Sequence, residues 1–228
     1  MKLSIYMTKR ETILGFAYLI IQFMILPLVI SGAIALFSLD FTDGQLNLLY
    51  YIINFSAVAV IFRKFLWQNL ERMSANPPRF FWGVLLGLGR YLVMNTLLAM
   101  ALLEIAPDFV NANDTAIAEM VRTELPLIAT GTILLVPLAE ESLFRGLIFG
   151  NLYKKTPVMA YVISTVAFSA VHIVSYIGVY SPLEMLVSFL SYLPAGICLG
   201  WAYVRADSIF APIMIHAAVN AMGIYGMR

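Results

Sequence analysis

Three short constellations in the second half of this 228-residue chain carry side chains suited to acid–base chemistry. The first is Leu138-Ala139-Glu140-Glu141-Ser142-Leu143-Phe144-Arg145-Gly146, the second Phe168-Ser169-Ala170-Val171-His172, and the third His216-Ala217-Ala218-Val219-Asn220. The chain has only two histidines, and both fall in these motifs. A carboxylate withdrawn from bulk water is a stronger proton acceptor and so a better general base. An imidazole beside it can orient and deprotonate water. A second imidazole and an amide can stabilise an oxyanion. Together these are the parts of a peptide hydrolase that has no nucleophilic serine or cysteine.

Spacing sorts the candidates. Adjacent residues on a helix point about 100° apart, so Glu140 and Glu141 cannot share one environment. Glu141 and Arg145 are four apart in the favourable acid-before-base order, which predicts an internal ion pair and leaves Glu140 for a different neighbour. Phe168 and His172 share one helical face, as do His216 and Asn220, with small residues between the latter pair that permit close helix approach. Taken singly, each motif also has a plain packing reading. The glutamates can be structural charges, His172 a hydrogen-bonded packing residue, and His216 with Asn220 interhelical glue.

The elements that hold these residues are apolar. Hydrophobic residues make up 61% of the chain and charged residues 12%, against roughly 45–50% and about 25% in soluble domains. The bilayer is therefore the expected solvent. Seven apolar segments stand out, near 13–38, 46–66, 80–103, 125–150, 157–177, 183–204 and 208–226. Each approaches the roughly 20 residues a spanning helix needs, and helices satisfy their own backbone in lipid. The expected fold is an all-α polytopic bundle of about seven transmembrane helices with a polar intramembrane cavity. It is one integral membrane domain, with N-terminal helices over 1–124 and catalytic helices over 125–226. The first segment exceeds a signal-peptide core of about 7–15 residues and reads as a retained span. In the connection 104–124, Ile117, Met120 and Val121 suggest one face of a short interfacial helix.

Charge gives orientation and excludes partners. A net charge of +1 offers no field for nucleic acid, and the single cysteine, Cys198, excludes an intrachain disulfide. Lys2, Lys9, Arg10, Arg63, Lys64, Arg72, Arg79, Lys154, Lys155 and Arg205 all fall on one side of a seven-span arrangement, against Arg122 and Arg228 on the other. The positive-inside rule then puts the N-terminus in the cytoplasm. Arg90, inside span three, either pairs with Glu140 or Glu141 or snorkels to the interface. Depth poses a puzzle. His216 lies eight residues past Ser208, whereas His172 lies seventeen past Lys155. Their meeting requires tilted helices or an extended span five, with a cavity opening to the cytoplasm or laterally to lipid.

Glu-Glu-x-x-x-Arg at 140–145, Phe-x-x-x-His at 168–172 and His-x-x-x-Asn at 216–220, with Phe144-Arg145-Gly146 and Pro212-Ile213 before His216, resemble the signature motifs of the CPBP family. This family joins type II CAAX prenyl endopeptidases with bacteriocin-processing and immunity proteins. The resemblance covers about 125–222. It implies that Glu140 activates water, His172 assists, His216 and Asn220 hold the oxyanion, and Glu141, Arg145 and Phe168 support the site. It also implies a peptide or membrane-protein substrate in a lipid bilayer, in what reads as a bacterial cell membrane. A metal-independent route is favoured, because the chain has no His-Glu-x-x-His and asparagine is a poor zinc ligand. If zinc is present, its ligands are Glu140, His172 and His216. The alternatives are a non-catalytic bacteriocin-immunity or scaffold protein of the same fold, and a small transporter using the same cavity.

Overall fold

The computed structural model describes residues 3–109 and 111–227, and every named element in it is helical. Lys2 and Arg228, two of the basic residues used for orientation, lie outside the described residues. The chain runs through α1 (Lys9–Phe37), α2 (Asp43–Ile61), a short polar helix α3 (Arg63–Ala75), α4 (Pro77–Ile105), α5 (Asn113–Tyr153), α6 (Pro157–Tyr176), α7 (Pro182–Ala206) and α8 (Phe210–Gly226). All but α3 and α8 are long and apolar enough to cross a bilayer, and α8, an apolar helix of 17 residues, is the shortened seventh segment. The chain is thus an all-α polytopic membrane bundle.

Local sequence explains the helix ends. Thr8 with Glu11, Thr42 with Gln45 and Ser181 with Glu184 form reciprocal capping boxes that start α1, α2 and α7. Glu11 goes further: its second oxygen accepts from the Phe65 amide at 2.8 Å, tying the start of α1 to α3. The short helix expected within 104–124 is present but continuous with span four. The two parts meet at a kink where Glu124 has φ −135° and ψ 37°, two residues before Pro126. The Glu124 carboxylate there accepts from Thr42 Oγ1 and the Gly44 amide, bracing the start of α2.

Two prolines shape the membrane helices in the same way. Pro27 and Pro137 each follow a wide π-type turn, Ile21–Ile25 and Thr130–Leu135. In each, the amide just before the proline donates to the carbonyl five residues back, Leu26 to Ile21 and Val136 to Gly131. The next amide in that register would belong to the proline, which has none. The carbonyls of Gln22 and Thr132 are thereby left for other helices. Tyr50 Oη donates to Gln22 O at 3.3 Å, and Asn220 Nδ2 donates to Thr132 O at 2.8 Å.

The bundle is densely packed at the end that carries the basic loops. Phe62, Phe65, Leu147, Phe149, Tyr203 and Ile209 are all at most 1% exposed and belong to one core. Glycines allow this closeness. A Cβ on Gly83 would meet the Ala206 backbone at 3.0 Å, and one on Gly87 would meet Ala202, so α4 lies directly against α7. The Gly83-x-x-x-Gly87 pattern thus serves a contact within the bundle.

The depth puzzle resolves at the turn before α8. Asp207, Ser208 and Ile209 are buried rather than at the membrane surface. Asp207 adopts a left-handed conformation (φ 57°) and accepts from Ser4 N at 2.7 Å, Ser4 Oγ at 2.6 Å and Arg72 Nε at 2.7 Å, with Arg79 NH1 at 3.4 Å. Asn69 accepts from Ser208 Oγ and the Ile209 amide. The N-terminal segment and α3 therefore cover this turn. Because α8 begins inside the fold, its sixth residue beyond Phe210, His216, reaches the level of His172. Arg90 is exposed and pairs with neither Glu140 nor Glu141. Its guanidinium lies 4.0 Å over the Trp201 ring, a cation–π contact on the outside of the bundle.

Candidate active site

Glu140 and Glu141 sit between the two wide turns of α5, at the end of the regular stretch Val136–Glu141. Their environments differ, as the helix geometry requires. Glu141 is fully buried, and one oxygen, Oε1, is shared by Arg145 NH1 at 3.0 Å and His216 Nδ1 at 2.8 Å. Arg145 is also fully buried. Its NH2 donates to Ala195 O at 3.3 Å, and its guanidinium lies 4.1 Å over the Phe168 ring. The expected ion pair is present, and it has a third member in His216. A carboxylate on Nδ1 fixes the orientation of an imidazole and leaves Nε2 as its working nitrogen.

Glu140 makes no such bonds. Its nearest partner is His172, with Nε2 3.7 Å from Oε2, and that oxygen has no hydrogen-bond donor among the described residues. The side chains of His172 and Glu140 retain 15% and 22% exposure, so both face open space rather than packed core. His172 is held on three sides. Its Nδ1 lies 2.7 Å from Phe168 O, a carbonyl that can only accept, so Nδ1 carries the hydrogen and Nε2 the lone pair. Its ring stacks on Tyr192 at 4.2 Å between centroids and 28°, and packs against Phe168 at 4.6 Å. Phe168 also meets His216 at 5.9 Å, so one ring spaces both imidazoles and the guanidinium.

Glu140, His172, His216 and Asn220 all border one cavity of about 1170 Å³, with Phe144 and Phe168 in its floor. Asn220 spends one amide hydrogen on the Thr132 carbonyl left by Pro137, which aims its remaining groups. Glu141 and Arg145 do not line the cavity and stand behind its wall. Three contributors escaped the sequence reading. Tyr192 stacks on His172 and carries no motif signal. Asn111 caps the start of the helix leading into span four and is bonded to Ser191 Oγ at 2.7 Å. The Thr132 carbonyl was legible in principle, as the fifth residue before a proline.

The arrangement offers a base, two oriented imidazoles and an amide around a polar space. Among the described residues no three of His, Cys, Asp and Glu gather as a metal-binding group.

Comparison with known proteins agrees with this picture at the level of the family. A family model described as Type II CAAX prenyl endopeptidase Rce1-like matches residues 122–222, which include all three motifs. UPF0177 protein YxdF of Lactococcus lactis subsp. lactis (strain IL1403) is 30% identical over 148 residues, 64% of this chain and 75% of that protein. The chain belongs to the Rce1-like CAAX endopeptidase family. A second relative, named "Putative membrane peptidase YdiL", of Bacillus subtilis (strain 168), is 32% identical over 109 residues, 47% of this chain and 40% of that protein. No solved structure matches the chain significantly. Membership in the Rce1-like family supports an intramembrane peptidase, with peptide substrates met in a lipid bilayer.

Proposed function

We propose that the chain is an intramembrane endopeptidase that hydrolyses peptide bonds with water activated by Glu140. The observation that carries this reading is that Glu140 borders the cavity beside His172 and accepts no hydrogen bond among the described residues, whereas Glu141 stands behind the wall with one oxygen doubly bonded. A buried structural carboxylate is normally hydrogen-bonded, because leaving it unpaired is costly; Glu141 next to it accepts two bonds on Oε1 and leaves only Oε2 unpartnered, whereas Glu140 accepts none.

In the proposed reaction, water sits between two acceptors, Glu140 Oε2 and His172 Nε2, whose 3.7 Å separation suits a bridging molecule rather than a direct bond. Glu140 takes one water proton as the oxygen adds to the scissile carbonyl carbon. The resulting oxyanion accepts from the Asn220 amide and from Nε2–H of His216, whose ring is oriented by the Nδ1 contact with Glu141. Collapse breaks the C–N bond, and the proton held by Glu140 passes to the leaving nitrogen. Arg145 and Glu141 fix the geometry from behind the cavity wall, and Phe168 and Tyr192 fix it from the lining itself. The basic loops favour a cytoplasmic N-terminus, and both relatives belong to bacteria, which supports a bacterial cell membrane.

The test is mass spectrometry of membrane peptides from cells expressing wild type or Glu140→Gln. Products present only with wild type are expected, and cleavage should survive chelator treatment. Identical peptide sets would remove the catalytic role. Loss of cleavage on chelation with recovery on zinc addition would overturn the metal-independent route.

A further inference from the structure

We infer that the site is served from the face of the membrane opposite the basic loops, so that its substrate is a polypeptide segment already on the non-cytoplasmic side or inserted in the bilayer at that end. Two independent observations carry this, and the word substrate rests on the peptidase reading above. The first is where the cavity lies along each helix. Odd and even spans run in opposite directions, yet the lining residues crowd toward one end of most of them. They come from the second halves of α4 and α6, from His216 onward in α8, from the first half of α2 and from Asn113 to Phe144 of α5, with mid-helix residues of α1 and α7. The outermost lining residues are Leu103, Phe109, Asp114, Ser175 and Met227, all beside the connection that joins α4 to α5 or at the ends of α6 and α8. Asp114 and Ser175 are exposed there, so the cavity reaches the surface at that end.

The second observation is the dry barrier on the other side. Beyond the Phe144 floor, Phe62, Phe65, Leu147, Phe149 and Tyr203 fill the bundle toward the basic loops, and none of them lines the cavity. Packing there leaves no route: a Cβ on Gly146 would meet Met7 and Phe65, and one on Gly15 would meet Phe62 and Leu147. The turn at Asp207 is closed over by Ser4, Arg72 and Arg79. A polar segment cannot cross that plug without breaking native-density packing. With the basic loops in the cytoplasm, peptide enters from the outer face or laterally from the bilayer at that end, where the lining residues Phe23, Leu92, Val174 and Met222 are exposed, and the reaction follows a translocation or insertion step.

Single cysteines in a Cys198→Ser background, expressed in cells and treated with a membrane-impermeant thiol reagent, test this without any need for turnover. Ser175→Cys at the mouth, and Val219→Cys or Val171→Cys on the cavity wall, should label in intact cells. Lys155→Cys, on the basic end, should label only after permeabilisation. Labelling of the wall cysteines only after permeabilisation, or in neither condition while the protein elutes as a folded monodisperse species, would overturn the inference. If they label as expected but Glu140→Gln alters no peptide, the peptidase reading fails and the access route stands.

Discussion

At the scale of single residues, two adjacent glutamates are given opposite tasks by geometry alone. Glu141 is committed to Arg145 and His216 through one oxygen, whereas Glu140 accepts no hydrogen bond among the described residues and borders the cavity. Their substitutions should separate accordingly. Arg145→Leu strands the Glu141 charge in a site with no exposure, and breaking a buried pair this way costs about 3–5 kcal/mol. A large drop in melting temperature in detergent is expected, with activity lost through unfolding. Glu140→Gln should melt like wild type, and a comparable drop would mean that Glu140 is structural. The ion pair was legible because an i, i+4 acid–base pair in an apolar span has little else to do. The third partner, His216, was not, because nothing in sequence says which of two imidazoles meets which carboxylate.

At the scale of elements, the site depends on helices that depart from regular geometry at prolines. Pro137 vacates the Thr132 carbonyl and so gives Asn220 its anchor. Pro137→Ala supplies the missing amide, which competes for that carbonyl, while alanine is favoured over proline in a helix interior by up to about 3 kcal/mol. Cleavage should fall severalfold although the melting temperature does not, and unchanged cleavage would show that the anchor is dispensable. The seven apolar segments were legible from length and charge alone, within a few residues. The shortness of α8 was not read as a burial of its first turn, because the covering residues come from Ser4, Asn69 and Arg72, far away in the chain. Hydrophobic periodicity carries no such long-range information.

At the scale of the whole molecule, the bundle divides into a dry, aromatic half under the basic loops and a hollow half that holds the candidate site. The N-terminal strap closes the dry half through Asp207. Asp207→Ala leaves Ser4 and two arginines without their acceptor, a loss of about 1–3 kcal/mol for the buried bonds alone. A lower melting temperature and faster proteolytic removal of the N-terminal segment are expected. An unchanged proteolysis pattern would show that the strap is held by packing through Leu3 and Met7 instead. All these features bear on the proposal that one carboxylate, Glu140, activates water in the cavity of the membrane bundle. The most direct measurement is the cleavage rate of one product-yielding peptide by purified wild type and Glu140→Gln, with thermal unfolding followed on the same samples. A loss of at least about 100-fold with matched melting is expected, the size of a general-base contribution. Equal rates in the two folded proteins would contradict the account.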